Sequence, residues 1–178
     1  MNLIIRKEKE SDIDEVYKLN KEAFSKLTIS KGLEADLVNN LRKADCDIVS
    51  LVAEVEGKVV GHIIFSPVYI NGEIVGMSLS VMAVLPDFQK QGIGSALVKA
   101  GIEEVKNKNY SLIIVLGHPE YYPRFGFVPA SSYGLKSTYE IPDEVFMALN
   151  FNDQKWDNAV INYREEFKVC DEALESRN

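Results

Sequence analysis

The chain has 178 residues, 46% apolar and 26% charged, with a net charge of −7. That length suits one domain able to bury roughly 70% of the surface it exposes when unfolded, and no apolar run approaches the roughly 20 residues of a membrane span. The acidic balance argues against broad nucleic-acid binding, which needs clustered Lys and Arg, and weakly favours a cationic substrate; because MNLIIRKEKE lacks the apolar stretch of a secretory signal, a cytoplasmic location is expected.

The two cysteines, Cys46 and Cys170, lack the paired spacing of a zinc or dithiol site and read as free thiols, and no metal is expected. Without repeats, low-complexity tracts or Pro/Gly/Ser linkers, residues 1–178 read as a single domain.

Residues 2–7 read as a first strand. Ser11 with Asp14 signals a helix start, and Ile13, Val16, Tyr17, Asn20, Ala23 and Phe24 recur at helical spacing, with Asp12, Glu15 and Lys18 toward water. Leu33, Leu37, Val38 and Leu41 mark a second helix ending near Lys43. From Ile48 the pattern is strand-like, with a turn at Glu56-Gly57-Lys58 and a strong hairpin signal at Asn71-Gly72, where both residues tolerate positive φ. The fourth strand, about Ile74 to Leu85, stops at Pro86, which has no N–H for the ladder.

After Gly92, the residues Ile93, Leu97, Val98, Ile102 and Val105 form one face of an amphipathic helix, and LIIVLG (112–117) follows as a buried strand. Strand, helix, strand in this order predicts a parallel crossover. A helical turn near Tyr121 and strands at Phe127-Val128, Val145 to Phe151 and Ala159 to Tyr163 complete the reading. Trp156, Val160, Ile161, Tyr163 and Phe167 either close the sheet edge or pack on a second copy in a homodimer; closure of the same domain is expected. The end from Asp171 to Asn178 is expected to fray.

The segment VLPDFQKQGIGSAL (84–97) runs from a strand end into a helix start, where about four backbone N–H groups are unpaired and a partial positive charge favours anions. Gly92 and Gly94 let a pyrophosphate reach those groups, and Lys90 adds a cation. A dinucleotide fingerprint fails because position 97 is Leu, and a P-loop fails for want of Gly-Lys-Ser/Thr.

Val84, Pro86, Gln89, Gly92 and Gly94 in this setting resemble the coenzyme A motif of the GNAT superfamily of N-acetyltransferases, and GHPEYYPRFGF (117–127) resembles its Tyr-x-x-x-Gly-Phe signature. The Gly-His-Pro lead, the Tyr-Tyr pair and PDEVFMAL (142–149) are similar to the YhbS-like subgroup. The resemblance covers residues 2–130 best, with 131–178 expected to supply C-terminal strands completing the sheet. It implies an α/β (α+β) fold: a mixed central sheet with antiparallel early strands, a parallel pair splayed at the CoA site, and helices on both faces.

It also implies acetyl-CoA as co-substrate, held by Met82, Ala83 and Val84 on the strand and by Gln89, Lys90, Gln91, Gly92, Ile93, Gly94 and Ser95 in the loop. His118 is counted with the CoA-binding residues, because Gly117, His118 and Pro119 stand where the commoner pattern has an Asn on the pantetheine arm; a proton relay and loop packing compete for it. Tyr122 is the residue carried over as proton donor to the leaving thiolate, against packing on the pantetheine. Glu34 is the residue carried over as general base, against a solvated helix carboxylate. The backbone N–H of Ala83 or Val84 is placed to hold the oxyanion; orienting a water competes with a structural role for Ser80, the structural role being preferred, and His62 is given a structural role. Tyr121 receives no role.

The implied activity is acetyl transfer from acetyl-CoA to a primary amine of a small molecule or protein by direct attack in a ternary complex. The alternative is an acyl-CoA-binding sensor or scaffold without turnover. Neither nucleic acid nor membrane is expected as a partner.

Overall fold

The computed structural model describes residues 2–25 and 32–169. Strand β1 (Leu3–Lys7) leads through a 3-10 turn at Glu10–Asp12 into helix α1 (Ile13–Phe24), and helix α2 spans Glu34–Lys43. Three long strands follow: β2 (Val49–Val55), β3 (Lys58–Ile70) and β4 (Glu73–Val84). Their two turns carry left-handed pairs, Glu56-Gly57 and Asn71-Gly72, with φ between 51° and 85°. Such pairs match the twist of antiparallel neighbours, as the sequence predicted.

Helix α3 (Ile93–Asn107) then returns the chain so that β5 (Leu112–Leu116) lies parallel to β4. The remaining strands are β6 (Val128–Pro129), β7 (Leu135–Ser137), β8 (Phe146–Asn150) and β9 (Ala159–Ile161). The main sheet runs β1-β2-β3-β4-β5-β8-β6, and every neighbouring pair except β4 and β5 is antiparallel.

Helices cover both faces, as two successive residues of β3 show. A Cβ on Gly61 would meet Leu97 at 3.0 Å and Ile93 at 3.3 Å, both on α3, whereas the next residue, His62, meets Asn20 of α1. Successive side chains on a strand point to opposite faces. Helix α3 is set close to the sheet because Gly101 has no side chain: a Cβ there would lie 2.4 Å from the Phe65 ring. Val98 and Leu97 are fully buried in the same layer, and this packing fixes where the helix begins.

Several expectations change. Asp12 is buried rather than turned to water, because Arg6 clasps it at 2.6 Å and 3.0 Å and the Lys9 N–H donates to it at 2.8 Å. Hydrogen bonding from Arg6 holds its carboxyl below the usual range, and Asp12, not Ser11, organises the helix entry. Strand β6 begins at Val128 rather than Phe127. Strand β8 joins the main sheet between β5 and β6, with Met147 in one apolar cluster and Phe146 and Ala148 in the other.

Strand β9 lies outside the main sheet and pairs in parallel with β7, a strand the sequence reading passed over. Ile161 is buried there, Trp156 and Tyr163 pack beside it, Phe167 packs on the main core, and Val160 stays 41% exposed. Cys46 is unbridged; Cys170 and the segment Asp171 to Asn178 lie outside the described residues. Among the described residues no helix is long and apolar enough to cross a membrane.

Candidate active site

Strands β4 and β5 pair only from Met77 with Ile113 to Leu79 with Val115. The register between β3 and β4 shifts at that level, leaving Ser80 as an extra residue on β4 between Leu79, opposite Phe65, and Val81, opposite Ile64. A bulge bends its strand. Beyond it, Val81 to Val84 have no partner on the β5 side, and the two parallel strands form an open wedge.

Backbone direction within that wedge follows from one bond. The Leu85 N–H donates to Val60 O at 2.9 Å, so Leu85 and, two residues back, Ala83 turn their backbone groups to β3. Met82 and Val84 therefore turn theirs into the wedge. Gln89 reaches the same side, donating from Nε2 to Val84 O at 3.0 Å, which folds the loop after β4 back on the strand.

The loop leads into the start of α3. Gly92 sits at the N-cap with φ 85°, no side chain caps the helix, and the first helical bond runs from Ala96 N–H to Gly92 O. By helix geometry the amides of Ile93, Gly94 and Ser95 lack intrahelical acceptors. Gln91 braces the loop by donating to Asp87 O at 3.0 Å, and Lys90, exposed, holds a left-handed φ of 60°. This is an anion cradle beside the wedge, with the positive end of the helix dipole at its floor.

The third part comes from the segment after β5. His118 O accepts from Tyr121 N–H at 3.0 Å and Tyr122 N–H at 3.4 Å, which starts the 3-10 turn Tyr122–Phe125 and sends the two tyrosines different ways. Tyr122 turns back on the end of β5, so close that a Cβ on Gly117 would lie 2.1 Å from its ring. It packs edge-on against Phe127 with 5.7 Å between centroids and is only 7% exposed. Burial pushes its hydroxyl well above the usual tyrosine range. Tyr121 instead crosses to α3, its hydroxyl 3.0 Å from where a Cβ on Gly94 would stand and the Met82 side chain just beyond.

Residues 47–129 match the Acetyltransferase (GNAT) domain family. The chain is 37% identical over 140 residues to the uncharacterized N-acetyltransferase YjhQ of Escherichia coli K12, with 75% of each chain covered. It belongs to the GNAT acetyltransferase family. It is also 29% identical over 150 residues to the uncharacterized N-acetyltransferase YhbS of the same strain, covering 82% of this chain and 90% of that one.

Among solved structures, a GNAT family acetyltransferase from Brucella melitensis in complex with acetyl-CoA matches with a TM-score of 0.81 and 32% identity, covering 93% of this chain and 98% of that one. E. coli YhbS in complex with CoA matches with a TM-score of 0.83 and 27% identity, covering 94% and 93%. The mixed sheet and the order of elements are those of the GNAT fold.

Of the residues singled out from the sequence, the GNAT wedge gathers Met82, Val84, Gln89, Gly94 and, through Gly117, Tyr122. Ile93 is buried in the α3 layer, and Ser95 is half-buried in the first turn. His118 is exposed and shapes the site through its carbonyl. Glu34 opens α2 on the His62 face of the sheet, across the sheet from the cradle. Ser80, the bulge residue, bonds Ser66 Oγ at 2.9 Å. Among the described residues no group of three or more His, Cys, Asp or Glu forms a metal site.

His62 belongs to a sealed polar network instead. Arg42 pairs with Glu8 through Nη2 to Oε1 and Nε to Oε2, and Ser50 Oγ donates to Glu8 Oε2 at 2.6 Å. With its proton so placed, Ser50 Oγ accepts from His62 Nε2, 2.9 Å away, which leaves Nδ1 to accept from Asn20 Nδ2 at 3.4 Å. The ring is neutral, and burial pushes its pKa down to about 4 from 6.5.

The unfolded chain therefore takes up a proton that the folded chain refuses, and stability falls as pH drops through 6.5 toward 4, by about 3 kcal/mol in all. Urea midpoints measured from pH 7.5 to 4.5 are expected to show this slope, and His62→Gln to flatten it. The carboxyl held low by Arg6 contributes only below about pH 4, and the other histidine, His118, is exposed.

Proposed function

We propose that this GNAT chain binds acetyl-CoA with its pyrophosphate on the amides of Ile93, Gly94 and Ser95 and its pantetheine arm along Met82 and Val84, and passes the acetyl group to a primary amine. The observation that carries this reading is the uncapped start of α3 lying directly beside a parallel strand pair that is open on one side. The donor set suits the ligand: amides and Lys90 for phosphate oxygens, an unpaired strand edge for the amides of the arm. Two similar proteins were crystallised with acetyl-CoA and CoA.

The chemistry follows from where the chain's groups point. A neutral amine forms a bond from nitrogen to the acetyl carbon, and the Val84 N–H, turned into the wedge, stabilises the oxygen that gains negative charge. The carbon–sulfur bond then breaks, the amine loses a proton and the sulfur gains one. Tyr122, protonated throughout because of its burial, donates a hydrogen bond to the departing sulfur. Glu34, at the start of α2 on the opposite face of the sheet, takes the proton from that amine directly or through water.

Acetyl-CoA is expected to raise the melting temperature strongly and adenosine hardly at all, since the contacts proposed are to pyrophosphate and arm. Equal stabilisation by ATP or NAD defeats this placement. CoA release followed against a panel of polyamines, amino acids, aminoglycosides and short peptides tests turnover; binding without release by any amine identifies a scaffold instead of an enzyme.

A further inference from the structure

The cradle has a floor, the first turn of α3, and one wall, the loop from Gln89 to Gln91. Its other wall comes from the turn after β5. A 3-10 turn eclipses residues three apart, so Tyr121 and Arg124 stack on one side of it: the Arg124 guanidinium lies 4.6 Å from the centre of the Tyr121 ring, and Arg124 Nη2 also donates to Glu120 O at 3.3 Å. The ring is further fixed edge-on by Tyr122 at 5.1 Å and Phe125 at 5.4 Å. Its half-buried position leaves the hydroxyl at Gly94 without a hydrogen-bond partner among the described residues.

We infer that Tyr121 is a binding residue for CoA, its hydroxyl donating to a pyrophosphate oxygen from the side opposite Lys90. Arg124 lies against the face of the ring and helps hold it in place. The assignment rests on the placement of CoA proposed above. It also gives a reason for glycine at 94 beyond access to the helix amides, since any Cβ there pushes the Tyr121 hydroxyl aside. A hydrogen bond to a charged group sets the scale of the effect, about 10-fold to 100-fold in affinity.

The test is calorimetric titration of CoA and of pantetheine, which lacks the phosphates, into wild type, Tyr121→Phe, Gly94→Ala and the double variant. Tyr121→Phe keeps the ring and its packing, so its melting temperature is expected to match wild type while CoA binds about 10-fold more weakly and pantetheine as before. Gly94→Ala is expected to cost a similar factor by displacing the hydroxyl, and the double variant no more than either single one, a non-additivity that marks a shared interaction. Wild-type affinity for CoA in Tyr121→Phe, or fully additive losses, overturns the assignment while the cradle stands. Normal CoA binding by Gly94→Glu as well removes the cradle with it.

Discussion

Gly94→Glu is expected to abolish CoA binding and leave the fold intact or slightly more stable. The position is the second residue of α3, half-buried, with the Tyr121 hydroxyl 3.0 Å from where its Cβ would stand. In that first turn a carboxylate is favoured by the helix dipole, and replacing glycine by a better helix former gains roughly 0.5–1 kcal/mol. Toward the ligand the sign reverses. A glutamate about 4 Å from a phosphate charge is repelled by about 4 kcal/mol at a surface-like dielectric, or about 10³-fold in affinity, before its displacement of Tyr121 is counted. Circular dichroism, a melting curve and a CoA titration on one preparation check all three statements. Unchanged affinity in a natively folded variant contradicts the placement of the pyrophosphate.

The parts of the fold that local chemistry dictates were legible in the sequence. The Asn71-Gly72 turn, the apolar face of α3 and the apolar run of β5 each follow from residues within one element, and the crossover that makes β4 and β5 parallel follows from their order. What depends on long-range pairing was not legible. Residues 135–137 form a strand only because β9 supplies its partner, and three residues carry no period. The place of β8 between β5 and β6 was not legible either, although Phe146, Met147 and Ala148, all buried in succession, are the mark of a strand covered on both faces. Asp12 reads as solvent-exposed because its partner, Arg6, is on another element.

The site divides in the same way. A helix start reached through glycines announces an anion cradle from sequence alone, because the amides that bind are backbone groups. Side-chain roles depend on which way a turn sends them. Tyr121 and Tyr122 are adjacent and chemically alike, and only the 3-10 turn begun at His118 O separates a residue at Gly94 from one buried against Gly117.

Tyr122→Phe is expected to lower kcat by about 10²-fold while changing acetyl-CoA affinity little, because the ring contacts to Gly117 and Phe127 survive and only the hydroxyl is lost. Burial raises the pKa of that hydroxyl, so a tyrosine this weakly acidic does not hand its proton outright to a thiolate whose thiol has a pKa near 8.5. Its effect is a hydrogen bond that strengthens as charge builds on sulfur, a contribution of about 1.5–3 kcal/mol, and the proton that finally reaches the sulfur comes from the amine or solvent. The sign of the pH dependence follows: the hydroxyl stays protonated past pH 10, and no falling limb below that pH in the wild-type kcat profile belongs to Tyr122. A descending limb near pH 9 that vanishes in Tyr122→Phe contradicts this reading. Equal turnover by wild type and variant, with chemistry shown to be rate-limiting, reduces Tyr122 to a packing residue.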